Sequence, residues 1–447
     1  MSGYSPGLVT AVGTPDAQAL SKRRFNPVTV LTIYLFLLFF IPYDVEFAPL
    51  GGSGTPSNMF AAVLVAIYLV LWMDPGSSIA RGTQPLRSAA LLFTCTIIAS
   101  YISANRHMLP ALEKNGADRS LIAVAAWLGV LLIAVDGIDD ARELAILIRR
   151  IVQGVSVMAM VAIFQFFSKF DITRIITIPG FSNVFAYSDI TVRSGLTRPA
   201  STTAQPLELV AVLAMVLPLA IHRARFAPPD RRRFGWLLVA VIAAALPITV
   251  SRSAILVLVV ITLVLVPTWP VRERRFAYLV IPAGVVVEFI TIPGMISAFV
   301  GILSNNGVVV TSTQSRANAY SSAAPFISQH PWFGLGFGTF PPQTYFFTDN
   351  QYLSSTIVTG FVGLLALVVL FVTGWIIARR TRQLSTDPET RDFAQSLAAS
   401  VAASATSFAI FDALSFNIAA GLSFLLLGCV GCLWRLENQR TQLTAVR

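Results

Sequence analysis

Apolar residues in this chain gather in long stretches that are separated by short polar segments. A transmembrane helix needs about 20 mostly apolar residues, so each such stretch predicts a span. The seventh and eighth stretches flank Ser251-Arg252-Ser253, and the last two flank the region around Asp412, so the pattern predicts eleven or twelve spans. The stretches lie at residues 27–43, 58–74, 88–104, 119–135, 146–168, 204–221, 234–250, 252–267, 276–293, 350–378, 393–412 and 415–434.

Composition places these helices in a lipid bilayer. Of the 447 residues, 55% are hydrophobic and 12% are charged, and the mean hydropathy is +0.71. Soluble domains carry about 25% charged residues, and one soluble core of this size does not enclose so much apolar surface. We therefore expect an all-α polytopic membrane protein, with a transmembrane domain at 27–434 and cytoplasmic tails at 1–26 and 435–447. The first tail is polar, and we expect it to be disordered and not a cleavable signal peptide.

Basic residues predict the orientation of the chain. With both termini in the cytoplasm, most of the 32 Lys and Arg residues fall in cytoplasmic segments, as the positive-inside rule requires. The formal charge of +10 then reflects topology, and its spread over separate short loops argues against a nucleic-acid partner. Nine basic residues fall on the outer side: Arg106, Lys114, Arg119, Lys169, Arg174, Arg193, Arg198, Arg252 and Arg316.

Two long segments face the outside in this topology, at residues 169–203 and 294–349, the second directly before the tenth span. The cytoplasmic loops are too short for a catalytic domain, and the sequence contains no Walker-type phosphate loop. Any chemistry is therefore expected at the outer face or within the bilayer.

Cysteine and histidine patterns do not indicate a metal or a cofactor. Cys429 and Cys432 have the spacing of a redox motif, but they lie in an apolar stretch without a second pair. No two histidines have the spacing of metal ligands. We expect neither a metal site nor a cofactor.

Three outer arginines are candidates for anion binding. Arg198 precedes Pro199 at the start of the sixth span, Arg252 lies at the junction of two apolar helices, and Arg316 lies in the second long segment. A guanidinium binds phosphate through two parallel hydrogen bonds, so these residues could hold a diphosphate. The alternative is anchoring at the membrane interface by snorkelling side chains.

The second long segment contains the densest pattern. His330 is followed by glycines at 334, 336 and 338, which predict a tight turn packed by aromatic residues. A phosphate cradle is the alternative. Asp349 lies at the mouth of the tenth span, where it is either an N-cap or a general base.

Three acidic residues lie in or beside predicted spans, namely Glu208, Glu288 and Asp412. A buried acid in a membrane protein is by default a functional candidate. Glu208 and Asp412 could instead pair with an arginine and hold it in place.

Four elements, in this order and on the outer side, resemble those of the O-antigen ligase and O-antigen polymerase superfamily of bacterial envelopes. Each element is weak alone, whereas the ordered set is specific, and it covers roughly residues 190 to 375. The elements are Arg198-Pro199, Ser251-Arg252, the segment His330-Pro331-Trp332-Phe333-Gly334 with its continuation to Phe340, and Asp349-Asn350 followed by Thr359-Gly360.

The resemblance implies a metal-independent glycosyltransferase of the bacterial inner membrane. Such an enzyme takes a glycan from a polyprenyl-diphosphate carrier, such as undecaprenyl or decaprenyl diphosphate. It passes the glycan to a hydroxyl of a glycan or glycolipid acceptor, as either a ligase or a polymerase.

The resemblance also implies roles for individual residues. Arg198 and Arg252 would bind the diphosphate, and Asp349 would deprotonate the acceptor hydroxyl, with inversion at the sugar carbon. Many ligases have a histidine at the position of Asp349, so a strict lipid A core ligase is less expected. Substrate-binding roles are predicted for Arg316, Asn350, His330 and Glu208.

Two other classes of protein remain as alternatives. A transporter or flippase of lipid-linked oligosaccharides would show repeats and interrupted helices in matching halves, and no clear repeat is present in the sequence. A structural scaffold of an envelope complex would tolerate substitution of Arg198 or Arg252 without a change in surface glycan.

Overall fold

The computed structural model describes residues 26–77, 79–183, 192–193, 196–291 and 308–445. Within these ranges the chain forms thirteen α-helices, which are numbered here in chain order. They are α1 Pro27–Phe40, α2 Pro56–Met73, α3 Pro85–Ala104, α4 Ala111–Gly137, α5 Ala141–Ser168, α6 Pro206–Arg225, α7 Pro229–Ile248, α8 Arg252–Leu265, α9 Val271–Thr291, α10 Val308–Gln329, α11 Gln351–Leu384, α12 Pro388–Phe408 and α13 Asn417–Ala445.

Each of the twelve predicted apolar stretches overlaps one helix. Among the described helices, seven are long and apolar enough to cross a membrane, namely α2, α3, α4, α5, α6, α11 and α13. The helix α1 and the segment Ser253–Thr268 are apolar but shorter. The helical, multi-pass character of the chain is therefore confirmed, whereas the number of twelve spans stays a prediction.

The long segment before the tenth span is not simply a loop, because it contains the 22-residue helix α10. Serine, threonine, asparagine and glutamine are frequent in this helix, so an apolar pattern does not reveal it. Residues 292–307 of the predicted loop lie outside the described residues.

Helices α6 and α13 form the centre of the bundle. In the apolar windows of these two helices, 83% and 89% of the residues are buried within the protein, compared with 28% in α2. Helix α13 packs against α4 and α11, and α6 packs against α7 and α12. Apolar side chains on peripheral helices point outward, as expected of a protein whose solvent is partly lipid.

Buried charges hold one end of the bundle together. Asp136 in α4 is 1% exposed and accepts hydrogen bonds from Arg87 in α3 and Tyr68 in α2, both at 2.8 Å. A second group joins α6 to α12, where His222 lies 2.8 Å from Asp392. The basic pattern predicts this end to be cytoplasmic.

Short strand pairs and tight connections lie at the opposite end, which we call the outer end in line with the predicted orientation. Strand β1 (Val45–Glu46) pairs antiparallel with β2 (Ser182–Asn183), and β3 (Val192–Arg193) pairs with β4 (Leu196–Thr197). The backbone amide of Tyr43 donates to the carbonyl of Thr202 at 3.0 Å. The first long segment therefore folds against the connection that follows α1.

Candidate functional site

Arg198 binds the turn that precedes Arg252. Strand β4 leads directly into Arg198, whose Nε donates a hydrogen bond to the carbonyl oxygen of Thr249 at 3.0 Å. Thr249 ends α7, and Arg252 begins α8 three residues later. Three residues span at most about 11 Å, so the Arg198 guanidinium and the start of α8 share one turn. The Arg252 side chain lies outside the described part of the chain.

The segment after Arg198 is fixed by a buried glutamine of α5. The Oε1 of Gln165 accepts from the backbone amide of Ser201 at 2.7 Å, and its Nε2 donates to Asp171 at 2.7 Å. The Nε2 also donates to the carbonyl oxygen of Ser201 at 3.3 Å. These bonds set the position of Arg198 relative to the end of α5.

Strained backbone lies beside each of the three predicted catalytic residues. Among the described residues, four that are not glycine have positive φ: Lys169, Ser201, Val250 and Asp349. Lys169 is the ordinary left-handed cap of α5. Ser201 (φ 56°) follows Arg198 closely, Val250 (φ 50°) precedes Arg252, and Asp349 has φ 49° itself. A β-branched residue in this region is a true outlier, and such strain clusters at functional sites.

Asp349 is not the N-cap of α11, so the capping interpretation of this residue is wrong. The side chain of Asn350 caps the helix, because its Oδ1 accepts from the amides of Tyr352 and Leu353 at 2.9 and 3.4 Å. The Nδ2 of Asn350 donates to the hydroxyl of Tyr320 at 3.0 Å. The Asp349 side chain is exposed and takes no part in this cap.

Asp412 is a hydrogen-bond acceptor beside Asp349. Both of its oxygens lie 2.6 Å from the Thr348 hydroxyl, and Oδ1 accepts from the Asn350 amide at 3.1 Å. An arginine partner was one alternative from the sequence, whereas these contacts come from a hydroxyl and from one backbone amide. Asp412 therefore belongs to the support of the start of α11.

The glycine-rich turn fills a break in α11. Gly360 has φ 67° and ψ −172°, which interrupts the helix. Leu335 and Gly336 donate their amides to the carbonyls of Ile357 and Val358 at 3.0 and 2.9 Å. On the other side of the break, the amide of Phe361 donates to the carbonyl of Pro331 at 2.8 Å. The freed backbone groups of the helix are thereby satisfied, as membrane depth requires.

This geometry favours the packed turn over the phosphate cradle. All three alternating glycines have positive φ, at 67°, 123° and 85°. The amide of Gly334 donates to the His330 carbonyl at 3.1 Å, and that of Gly336 is used in the break. His330 is half-buried just after α10, where its backbone shapes the turn.

An aromatic cluster holds α10 against the segment that leads to Asp349. Phe340 stacks on Tyr345 with ring centroids 4.4 Å apart, and Phe326 of α10 meets both rings edge-on at 5.5 Å. The Tyr345 hydroxyl donates to Glu113 of α4 at 2.8 Å. The position of Asp349 is therefore tied to α4, α10 and α11.

Glu208 connects α6 to the start of α13. Its side chain is 1% exposed and accepts from the amides of Ala204 at 2.8 Å, Ile418 at 3.0 Å and Ala419 at 3.1 Å. A carboxylate near helix N-termini stabilises them. This placement supports the framework between the Arg198 segment and the turn at Asp412, and substrate binding by Glu208 stays a prediction.

Besides Arg252, two more predicted residues have no described side chain. Arg316 lies on α10 and Glu288 on α9, and only the backbone of each is described. The structure thus brings Arg198 to the turn at Arg252, and it places Asp349 at the same end of the bundle without a described contact between the two.

The sequence does not single out Asp44 and Asp171, which lie near the segment that follows Arg198. Burial raises the pKa of Asp44 above its ordinary value and the charge of Asp171 adds to this, while a backbone hydrogen bond and Arg174 oppose it. Neither aspartate lies in an apolar span or in a recognisable motif, so only the fold reveals their proximity. Among the described residues, no group of three or more His, Cys, Asp or Glu is placed to hold a metal ion.

These features define a multi-pass helical membrane protein with a polar, strained site at one end of the bundle. Residues 236–368 match the model of the O-antigen ligase family. The match begins within α7 and ends within α11, so it includes Arg252 and Asp349 but not Arg198. It covers under a third of the chain and confirms the resemblance to the O-antigen ligase-like superfamily. This supports a membrane protein of glycan ligation or polymerisation. No curated protein matches the chain.

Proposed function

We propose that this chain is a glycosyltransferase at the outer face of the bacterial cytoplasmic membrane. It moves a glycan from a polyprenyl-diphosphate carrier to a hydroxyl of a glycan or glycolipid acceptor. The observation that carries the proposal is the strained backbone beside Arg198, Arg252 and Asp349, because such strain persists only where the surrounding structure maintains it.

The arginine turn suits the leaving group. A polyprenyl diphosphate gains negative charge as its bond to the sugar breaks, and guanidinium groups stabilise that charge best when they are already oriented. Arg198 is oriented by its bond to Thr249, and Arg252 starts the helix that follows. Arg316 is a further candidate for the same anion.

Asp349 suits the role of general base. Its carboxylate is exposed on the outer end, it is not used to cap α11, and the surrounding segment is fixed by packing. In the reaction it takes the proton of the acceptor hydroxyl as that oxygen attacks the anomeric carbon. The bond from carbon to the diphosphate oxygen breaks on the opposite face, which inverts the configuration, and the proton passes on to water.

The remaining candidates are assigned to substrate binding. Asn350 follows the base at the start of α11, and His330 lies just after α10; both are proposed to contact the sugar acceptor. Glu208, also predicted to bind substrate, maintains the spacing between the arginine segment and the turn at Asp412 through its three backbone hydrogen bonds.

A transporter or flippase is the second candidate function, and the broken helix α11 is the feature that favours it. Transporters use the open ends of broken helices to bind substrate. In this chain the break at Gly360 is filled by the turn at residues 331–336, which uses the freed amides and carbonyls. This favours a structural role for the break over a transport site.

Complementation tests the proposal. A strain that lacks the gene would receive the wild type, Arg198→Ala, Asp349→Asn or the control Arg106→Ala, with surface glycan length and attachment as the readout. Asparagine tolerates the left-handed conformation, so Asp349→Asn should fold and lose only the base. Loss of a base lowers the rate by about 10²–10⁴-fold, and loss of one charge-stabilising donor lowers it by about 10²–10³-fold.

The expected result is wild-type glycan with Arg106→Ala and severe loss with the other two variants. Loss of polymer length would indicate a polymerase, and accumulated full-length lipid-linked glycan would indicate a ligase. Normal glycan in cells that carry Asp349→Asn or Arg198→Ala at wild-type protein levels would refute the proposed mechanism.

A further inference from the structure

We propose that Asp412 is a positioning residue that holds Asp349 in its reactive conformation, through Thr348 and the backbone of Asn350. The inference rests on the proposed role of Asp349 as the base. It assigns a function to the turn between α12 and α13, which contributes no group to the reaction itself.

The hydrogen bonds of Asp412 lie on both sides of Asp349. On one side the Thr348 hydroxyl is 2.6 Å from both carboxylate oxygens, and on the other side the Asn350 amide donates at 3.1 Å. The residues on both sides of Asp349 are thus bonded to one acceptor, which maintains its φ of 49°.

A second contact joins the turn between α12 and α13 to the start of α11. The Oε1 of Gln351 accepts from the backbone amide of Leu414 at 2.8 Å, and its Nε2 donates to Ser355 at 3.1 Å. The start of α11 is therefore bonded to the turn at two residues, Asp412 and Leu414.

Burial alternates along the approach to α11. Thr348 is buried against Asp412, whereas Phe347 and Asp349 on either side of it are exposed. With Thr348 bonded to Asp412, the neighbouring Asp349 carboxylate is left exposed, where an acceptor hydroxyl can reach it.

Asp412 is itself poorly suited to act as the base. Both of its oxygens are engaged by the Thr348 hydroxyl, and it is only partly accessible behind the strained segment. Asp349 carries the exposed carboxylate of the pair, so the geometry divides the two acids into one that reacts and one that positions.

The test measures transfer by purified protein in proteoliposomes that contain lipid-linked donor and acceptor. The variants are Thr348→Val, Thr348→Ser, Asp412→Asn and the double variant, with Thr381→Val as a control for loss of a buried hydroxyl elsewhere. Misplacement of a reacting group by about 1 Å lowers the rate by roughly 10²-fold. We expect kcat to fall about 10- to 100-fold in Thr348→Val and Asp412→Asn, with little change in the KM of the donor.

Several results together separate positioning from a general structural role. Thr348→Ser should retain wild-type kcat, and the double variant should be little worse than either single variant, because both act through one contact. Melting temperatures identify any loss that comes from unfolding, and Thr348→Val keeps the inference testable if Asp412→Asn does not fold. Wild-type kcat in folded Thr348→Val would overturn the proposal.

Asp349→Asn, assayed in parallel, distinguishes this inference from the proposed function. If Asp349→Asn is inactive while Thr348→Val and Asp412→Asn turn over normally, only the positioning role is refuted. If Asp349→Asn is fully active, the assignment of the base is refuted and the positioning role is refuted with it.

Discussion

Replacement of Gly360 by alanine should destabilise the protein severely, because two separate penalties act at this position. At φ 67° and ψ −172° the backbone lies in a region that only glycine adopts readily, and a side chain there costs about 1–3 kcal/mol. The added Cβ would also lie 2.3 Å from the backbone carbon and oxygen of Trp332. Overpacking of this kind costs about 1–3 kcal/mol. Together these values predict a loss of roughly 2–6 kcal/mol in the free energy of unfolding.

Alanine substitutions at two other glycines distinguish the conformational penalty from the steric one. Gly180 has φ +85°, but no atom of the described residues lies within 4 Å of the position that an alanine Cβ would occupy, so Gly180→Ala carries only the conformational cost. That cost is about 1–2 kcal/mol. Gly82 has open space and no positive φ, so Gly82→Ala should be close to neutral.

The assay is denaturant or thermal unfolding of the purified variants in one detergent, with the folded fraction measured by size-exclusion chromatography. The expected order of destabilisation is Gly360→Ala, then Gly180→Ala, then Gly82→Ala. If Gly360→Ala unfolds at the same point as Gly82→Ala, the turn at 331–336 does not pack into the break of α11.

Three further outcomes follow from the contacts. Arg87→Met leaves the buried Asp136 without its cation and should cost about 3–5 kcal/mol in thermal unfolding, and Asp136→Asn in the same protein should recover part of that loss. Asn350→Ala and Asp387→Ala each remove a helix cap and should cost about 1 kcal/mol, but only Asn350→Ala should also lower glycan transfer. A reporter fused to the C-terminus should be active in the cytoplasm, and one inserted in the first long outer segment should be active outside; the reverse pattern would contradict the predicted orientation.

The helices were predictable because the bilayer demands long apolar stretches. All twelve stretches overlap helices, including the pair around Ser251-Arg252-Ser253, where the structure ends α7 and begins α8. Helix α10 was missed because its sequence is polar, and its position depends on the aromatic contacts of Phe326 with Phe340 and Tyr345. Tertiary contacts of this kind leave no periodic signal.

The sequence proposes individual site residues, but it does not give the contacts that support them. The sequence identified Arg198 and Asp349 as unusual outer charges. It could not show that Arg198 binds the carbonyl of Thr249, or that Asn350 caps α11 in place of Asp349. The bond from Arg198 to Thr249 joins segments that are far apart in the chain, and the cap by Asn350 depends on local backbone geometry. Composition and residue spacing encode neither of these.

For the buried acids too, the sequence indicated the residues but not their partners. Glu208 and Asp412 were recognisable as costly residues near the membrane, but their partners were not. Each accepts backbone amides at the start of a helix, Glu208 at α13 and Asp412 at α11. The sequence therefore identified these carboxylates as candidates, and only the fold shows which backbone groups bind them.

The proposed glycosyl transfer is tested most directly by product analysis with the purified protein in proteoliposomes that contain a polyprenyl-diphosphate-linked glycan and an acceptor glycan. We expect release of one polyprenyl diphosphate with each new glycosidic bond, with inverted configuration at the sugar carbon, and we expect Asp349→Asn to abolish both. Movement of intact lipid-linked glycan across the bilayer without any new glycosidic bond would contradict the proposed function.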